Sequence, residues 1–357
     1  MLEIMIVLGI ESSCDETAVG IVADGKRLLA NKVASSMDLH AQYGGVVPEI
    51  AARSHIEAII PVIEEALATA RCTWDDIDAI AVTYGAGLNG SLLIGVLAAR
   101  TLAIVKKKPL YAVNHVEAHL YVNFLTESAL AEYALPSRQP EFPMLGLIVS
   151  GGHSQLVFFR NHFDYTLLGQ THDDAIGEAF DKVAKILGLP YPGGVQVSRL
   201  ADTGNAQAYS LPKARMSGKY DFSFSGLKTA TLRLAQELVG KDYSLPSYEL
   251  PGLLSDAQKA DIAASFQRVA NETVVDKTVM AFEEFRPTCV IIGGGVAANT
   301  DLRRQLGQRL PCPLAYADLK LCGDNGAMIA TLGCYKAMLG APQADPFTLE
   351  TAPNLSM

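Results

Sequence analysis

Two stretches of this chain repeat one pattern of apolar run, short polar turn and second apolar run. The first is Ile6-Val7-Leu8-Gly9-Ile10, a polar turn over residues 11–17, then Ala18-Val19-Gly20-Ile21-Val22. The second is Leu145-Gly146-Leu147-Ile148-Val149, the turn Ser150-Gly151-Gly152-His153, then Ser154-Gln155-Leu156-Val157-Phe158-Phe159. Each predicts a β-hairpin closed by small, hydrogen-bonding residues. A strand, glycine loop and helix also follow one another twice. Residues 79–83 lead through Gly85-Ala86-Gly87-Leu88-Asn89-Gly90 into a helix from Ser91. Residues 289–292 lead through Gly293-Gly294-Gly295 and residues 296–299 into a helix near Asp301. The repetition predicts a duplicated α/β architecture with a cleft between its halves. The expected division is residues 1–113 with about 327–357 in one lobe and 114–326 in the other. Residues 128–143 and about 241–255 read as surface loops inserted on a lobe.

Composition narrows the class. The 357 residues are 49% apolar and 19% charged, which fits an ordered chain of two domains with cores of their own. No apolar run reaches the roughly 20 residues that cross a bilayer, and the longest, residues 92–105, is interrupted by Arg100. The apolar residues 4–10 have no basic leader and run into acids, so they read as a strand and not a signal peptide. The six cysteines, at 14, 72, 289, 312, 322 and 334, show no C-x-x-C spacing, and reduced thiols in the cytoplasm are expected. A net charge of −9 argues against nucleic-acid binding through overall charge. Local basic groups remain at Lys106-Lys107-Lys108, Arg303-Arg304 and Lys213/Arg215/Lys219, each by default a solvated face.

Candidate chemistry begins at Asn114-His115-Val116-Glu117-Ala118-His119. Asn114 is a good N-cap after the strand-like run 110–113, and two imidazoles at i and i+4 share a helix face. Both can reach one ion; the alternative is two unrelated histidines. A metalloprotease is disfavoured, because its general-base Glu follows the first His directly. Here Glu117 sits two positions on, about 200° around the helix. Gly85 to Gly90 spells the dinucleotide fingerprint, yet residues 101–116 contain no acid to hold a ribose, so a close-packed turn is the better reading. Asp174, Glu178 and Asp181 are expected on one helix face, either as a solvated helix start or as hydrogen-bonding partners of a substrate. Tyr191-Pro192-Gly193-Gly194 and Asp221-Phe222-Ser223-Phe224-Ser225-Gly226-Leu227-Lys228-Thr229 read as turn punctuation or as site elements. Asp324, in Cys322-Gly323-Asp324-Asn325-Gly326, is either a helix N-cap or a hard oxygen ligand completing a His-His-Asp set.

In their order, these motifs resemble the bacterial tRNA N6-adenosine threonylcarbamoyltransferase family. The resemblance covers nearly the whole chain: residues 9–17, 44–49, 114–119, 150–153, 177–182, 222–229, 294–299 and 324–327. It implies an α/β, actin-like/Hsp70-like fold of two RNase H-like lobes with a nucleotide cleft between them. It implies transfer of a threonylcarbamoyl group from threonylcarbamoyl-AMP to the adenosine beside the tRNA anticodon, releasing AMP. The family metal, Fe(2+) with Zn(2+) as the alternative, would be held by His115, His119 and Asp324. Substrate contacts would be Ile148, Val149, Ser150, Gly151, Gly152, Asp181, Gly194 and Asn299. Asp15 or Glu16 would act catalytically, as proton acceptor or as an acid orienting tRNA. Implied partners are a metal-less paralogous subunit and a small P-loop ATPase, with no membrane. The chain departs from the family pattern at Ala86, Ala118 and Val195, and at Ser198, where many relatives carry Asp. Two rival readings are an ATPase or kinase of the same fold and a non-catalytic scaffold.

Overall fold

The computed structural model describes residues 4–357, and its strands lie where the β-rich runs predict them. The chain divides into two compact units: one runs to Pro140 and resumes at Ala315, the other is Glu141–Leu314. This redraws the expected lobes. The helix after Asn114 and the loop carrying Asp324 both belong to the first unit, because the helix His115–Tyr121 packs against the helix Gly326–Met338.

The first unit contains a six-stranded sheet of β1 (Ile6–Glu11), β2 (Glu16–Ala23), β3 (Arg27–Ser35), β4 (Ala79–Gly85), β5 (Leu110–Asn114) and β6 (Glu127–Ser128), ordered β5-β4-β1-β2-β3-β6. The predicted β1–β2 hairpin is antiparallel, and β4 and β5 add in parallel on the other side of β1. Side chains alternate across a strand, so β1 presents Leu8 and Ile10 to one face and Val7 and Gly9 to the other. On the first face lie two helices. Pro48–Ala70 begins with proline, whose fixed φ suits a first turn, and buries Ile59, Val62, Ile63 and Ala66. Asn89–Lys106 buries Leu92, Val96, Ala99 and Ala103 beside them. Among the described residues it is the one helix long and apolar enough to cross a membrane, and here that inner stripe belongs to the core of the unit.

The opposite face receives the helix Gly326–Met338 at unusually close range. Gly9 and Gly20 pair across β1 and β2. A Cβ on Gly20 would overlap the backbone of Gly326 and Ala327, one on Gly9 would overlap that of Ala330, and one on Gly326 would overlap Val19 and Gly20. Glycine at these three positions lets helix and sheet backbones touch, which sets the depth of the preceding loop and of Asp324.

The second unit repeats the plan. β7 (Met144–Val149), β8 (Ser154–Asn161), β9 (Asp164–Gln170), β10 (Cys289–Gly293) and β11 (Leu314–Tyr316) are ordered β11-β10-β7-β8-β9, the order of the first sheet without β6. The duplication expected from the two hairpins is present. A capping box between Ser255 and Gln258 opens the long helix Asp256–Phe285. Of the loop expected over residues 128–143, Ser128 pairs with Leu28 in β6 and residues 129–143 carry no helix or strand. Residues 241–255 differ: they include a 3-10 turn, Ser247–Gly252, which buries Leu250 completely and sets Pro251 against Gly188. Two buried leucines among polar residues, Leu250 and Leu254, escape a compositional reading. The acidic run also differs, because the helix starts at Ile176 and leaves Asp174 outside it.

Gly326→Ala should cost about 3 kcal/mol in urea denaturation, the upper end for overpacking a rigid contact. Gly307→Ala, in a helix with open space around the new methyl, should be neutral or slightly stabilising.

Candidate metal centre

β5 ends at Asn114, whose Oδ1 accepts the Val116 N–H at 2.8 Å and so starts the short helix His115–Tyr121. One turn separates His115 from His119, and their rings meet edge to face with centroids 4.7 Å apart. Asp324 arrives from the turn before Gly326–Met338. The N-cap role there falls to Asn325, whose Oδ1 accepts the Met328 N–H, so that alternative for Asp324 is settled. Asp324 Oδ1 faces both imidazoles, 3.5 Å from His115 Nε2 and 3.3 Å from His119 Nε2. One donor atom from each of the three side chains lies within 4.8 Å of the others.

These residues fit a metal ion. Both ring nitrogens of His119 are buried without a formed hydrogen bond, Nε2 only facing Asp324 Oδ1 at 3.3 Å, a costly state that coordination of one nitrogen relieves. His115 is oriented from behind. Its Nδ1 lies 3.0 Å from Glu11 Oε2 and 3.1 Å from Ser13 Oγ, which directs Nε2 toward Asp324. Glu11 is fully buried at the end of β1, and it also accepts from the Ser13 N–H and the Thr83 hydroxyl, each at 2.6 Å. A carboxylate behind a ligating imidazole fixes its tautomer and raises its basicity. Sequence reasoning did not single out Glu11. The available signal was an acid at the inner end of an otherwise apolar strand. Burial alone would lower the His115 pKa, but the carboxylates of Glu11 and Asp324 outweigh it and push it up to about 9. Burial alone would raise Glu11, and His115 outweighs it and draws it down. Glu117 is buried on another side of the helix and is not among the clustered donors, as its spacing predicted.

Asp15 and Glu16 sit on the β1–β2 turn of the same unit. Burial first, then the charges of Asp324 and Asp15, push the Glu16 carboxyl up to about 10. The turn is held by side chains that the motifs did not reveal. His55 Nδ1 pairs with Thr17 Oγ1 at 2.7 Å and its Nε2 with the Cys14 carbonyl at 3.0 Å, where the Ser91 hydroxyl also donates. Ser36 donates from both its N–H and its hydroxyl to the Asp15 carbonyl, and His40 backs that hydroxyl at 3.0 Å. Burial drives the Cys14 thiol far up, so it is no nucleophile.

The remaining candidates lie in the second unit, around the ends of the parallel strands β7 and β10. Ile148 and Val149 bury their side chains, leaving only backbone to offer a ligand. Gly151 and Gly152 are exposed, with no atom within 4 Å of where a side chain would stand. Gly294 is pressed against Val149, and Gly177 against Ser150 and Gly151, so three loops meet there. Asp181 Oδ1 accepts the N–H groups of Gly193 and Gly194 at 2.8 and 3.2 Å. Asn299 caps the helix Thr300–Arg309 and donates to Gln267 at 2.9 Å and to Ser198 at 3.4 Å. The expected single acidic face is not formed. Asp174 pairs with Lys182 and Lys228, while Glu178 pairs with Lys182. Asp173 ties down Ser223 and the Phe224 N–H, so the 221–229 motif closes a loop against it. Three of the basic residues are paired with acids: Lys213 with Glu272 and Asp276, Lys219 with Glu284, and Arg304 with Asp301.

The fold and this donor set define an actin-like/Hsp70-like α/β protein with a His-His-Asp cluster of two buried histidines and a partly exposed aspartate. Solved structures agree on the fold: full-length HypF (TM-score 0.57, 13% identity, 94% of this chain and 46% of that one) and T. kodakarensis HypF (0.58, 14%, 96% and 49%). The model of the tRNA N6-adenosine threonylcarbamoyltransferase family matches residues 27–331. Curated proteins of that name include one from Thermomicrobium roseum, 48% identical over 94% of this chain and 93% of its own length. Another, from Symbiobacterium thermophilum, is 50% identical over 92% and 91%, and one from Dehalococcoides mccartyi is 44% identical over 99% of both. The chain belongs to the tRNA N6-adenosine threonylcarbamoyltransferase family and is a transferase of tRNA modification.

In metal-stripped protein, His115 should titrate near pH 9 by NMR. Its folded pKa is raised, so its ion-pair stabilisation is complete below the ordinary imidazole value of about 6.5 and is lost as pH rises through about 9. Glu11→Gln should move that titration toward neutrality and reduce the protons released on metal binding at pH 7.5. An unchanged titration would remove Glu11 from this role.

Proposed function

We propose that this chain transfers a threonylcarbamoyl group from threonylcarbamoyl-AMP to the N6 amine of the adenosine next to the anticodon, in tRNAs that read codons beginning with adenine. The observation that carries the reading is the donor set of two buried histidines, His115 and His119, and the partly exposed Asp324 in a chain of this family. The donor is a mixed anhydride. The amine nitrogen bonds to the carbamoyl carbon, the bond from that carbon to the phosphate oxygen breaks, and AMP leaves with the electron pair. With so good a leaving group, the protein's task is to position a weak nucleophile and stabilise the developing oxyanion.

His115, His119 and Asp324 would hold one divalent ion, Fe(2+) or Zn(2+), since a mixed nitrogen and oxygen set suits either. Such an ion supplies Lewis-acid polarisation and a template for the transferred group. The exposed backbone of Gly151 and Gly152 would receive the phosphate, while the buried Ser150, whose N–H donates to the His153 carbonyl at 2.8 Å, would hold the turn in shape. Asp181, Gly194 and Asn299, together with backbone of Ile148 and Val149, would hold the adenosine. Burial and the neighbouring Asp15 push the Glu16 carboxyl up, which suits it to donate within its pair with Asp15. Asp15 would then take the proton released by the amine.

The partner reading rests on the outer face of the first unit. Ile56 and Ile60 of one helix and Leu97 of the next are exposed around an apolar groove of about 350 Å³. A helical face of that kind suits the metal-less paralogue, with the small P-loop ATPase joining the assembly, and the cytoplasm is the compartment where tRNA is modified.

Purified adenylate, tRNA and the assembled enzyme should give AMP release that depends on tRNA, and His115→Ala should reduce it at least a thousandfold. Release of ADP from ATP without tRNA would favour a kinase-like activity instead, and normal turnover by the variant would remove the metal from the mechanism.

A further inference from the structure

The segment after the helix Gly326–Met338 runs back over the first unit and ends beside the metal-bearing helix. Its beginning is gathered by Arg100, the residue that interrupts the apolar helix. The guanidinium donates to the carbonyls of Pro346 and Phe347 at 2.6 Å each and of Leu349 at 3.2 Å. The segment then pairs with the end of β4 and the glycine loop: Ala352 N–H donates to the Tyr84 carbonyl at 2.7 Å, and Gly87 N–H to the Pro353 carbonyl at 3.1 Å. Thr351 donates to the Asn89 side chain at 2.7 Å. Last, Asn114 Nδ2 donates to the Ser356 carbonyl at 3.1 Å.

These contacts account for the loop Gly85-Ala86-Gly87-Leu88-Asn89-Gly90, which spells a dinucleotide fingerprint but lacks the acid to use it. A Cβ on Gly85 would overlap the Ala352 carbonyl, so the space of a side chain is occupied by the chain's own later backbone. Gly87, at φ +152, leaves no room on its other side either. A Cβ there would stand 2.7 Å from Ser13 Cβ, and the Leu88 N–H donates to the Ser13 carbonyl at 2.7 Å. The loop is therefore held between the late segment and the turn bearing Ser13, whose hydroxyl meets His115 Nδ1. The segment reaches His115 from a second direction as well. Asn114 caps the ligand helix with Oδ1 and grips Ser356 with Nδ2, one residue before His115.

We infer that residues 350–356 form a strap that sets the orientation of the ligand His115, acting through the glycine loop and through Asn114 as a positioning residue. This rests on the metal reading given above. Late segments are loosely ordered unless something ties them down. Here the ties fall on the two elements that orient one imidazole, Ser13's turn and the first turn of the ligand helix.

The test is Zn(2+) affinity of metal-stripped protein, measured by competition with a chromophoric chelator. Three proteins are compared: the full chain, a chain lacking residues 353–357, and Asn114→Ser, which can still cap the helix but is too short to reach Ser356. The full chain should take one equivalent, and each variant should bind about tenfold more weakly, the usual loss when a supporting residue of a ligand is removed. Amide hydrogen exchange at Val116 and Glu117 should quicken in both, with little change in the melting midpoint of Asn114→Ser. Wild-type affinity in either folded variant overturns the strap. Should the truncated chain not fold, Asn114→Ser decides alone. A full chain that takes up no Zn(2+) overturns the metal reading beneath it, which keeps the two failures apart.

Discussion

Everything at the centre depends on how closely one helix can lie on one sheet. Asp324 is some 200 positions from the imidazoles it faces, and no local preference brings it there. Gly9, Gly20 and Gly326 do, by removing the side chains that would hold the helix Gly326–Met338 away from β1 and β2. Backbone contact at that crossing places the preceding loop level with the end of β5, where His115 and His119 emerge. The same strand, β1, delivers Glu11 to the far side of His115. One contact between layers thus fixes a ligand and, through the strand it rests on, the carboxylate that orients another.

The electrostatics follow from that placement. A buried carboxylate and a buried imidazole are each unfavourable alone, and together they hold each other charged. With Glu11 behind it and Asp324 in front, His115 is held charged up to about pH 9, while neither His119 nitrogen forms a hydrogen bond and its Nε2 only faces Asp324. A divalent cation resolves both conditions, since it replaces a proton on one ring and supplies a partner to the other. The acid turn is governed differently. Its carbonyls are fastened by His55, Ser91 and Ser36, so its backbone is rigid where its carboxyl groups crowd.

Much of this was legible in the chain. The hairpins, the strand-to-helix glycine loops and the paired histidines are local patterns, and local patterns survive folding. The place of Asp324 beside the two imidazoles was legible only as an alternative to a helix cap, because the choice turned on whether Asp324 or its neighbour Asn325 would close the helix. Glu11 was hidden because it read as the first residue of the polar turn, whereas it ends β1 and gains its meaning only when β4 brings Thr83 and β5 brings His115 alongside. The one-face grouping of Asp174, Glu178 and Asp181 failed because it presumed a helix two residues longer than the one that forms. The 241–255 segment is largely exposed, and what its polar composition did not show is the 3-10 turn and the two buried leucines, Leu250 and Leu254, that pin it.

The most direct measurement is anomalous X-ray diffraction from crystals of protein purified without added metal, recorded on both sides of the iron and zinc absorption edges. The account predicts one strong peak within bonding distance of His115 Nε2, His119 Nε2 and Asp324 Oδ1, with its edge naming the element. Full occupancy of the protein with no peak among those three atoms, or a peak bound by other residues, would contradict it.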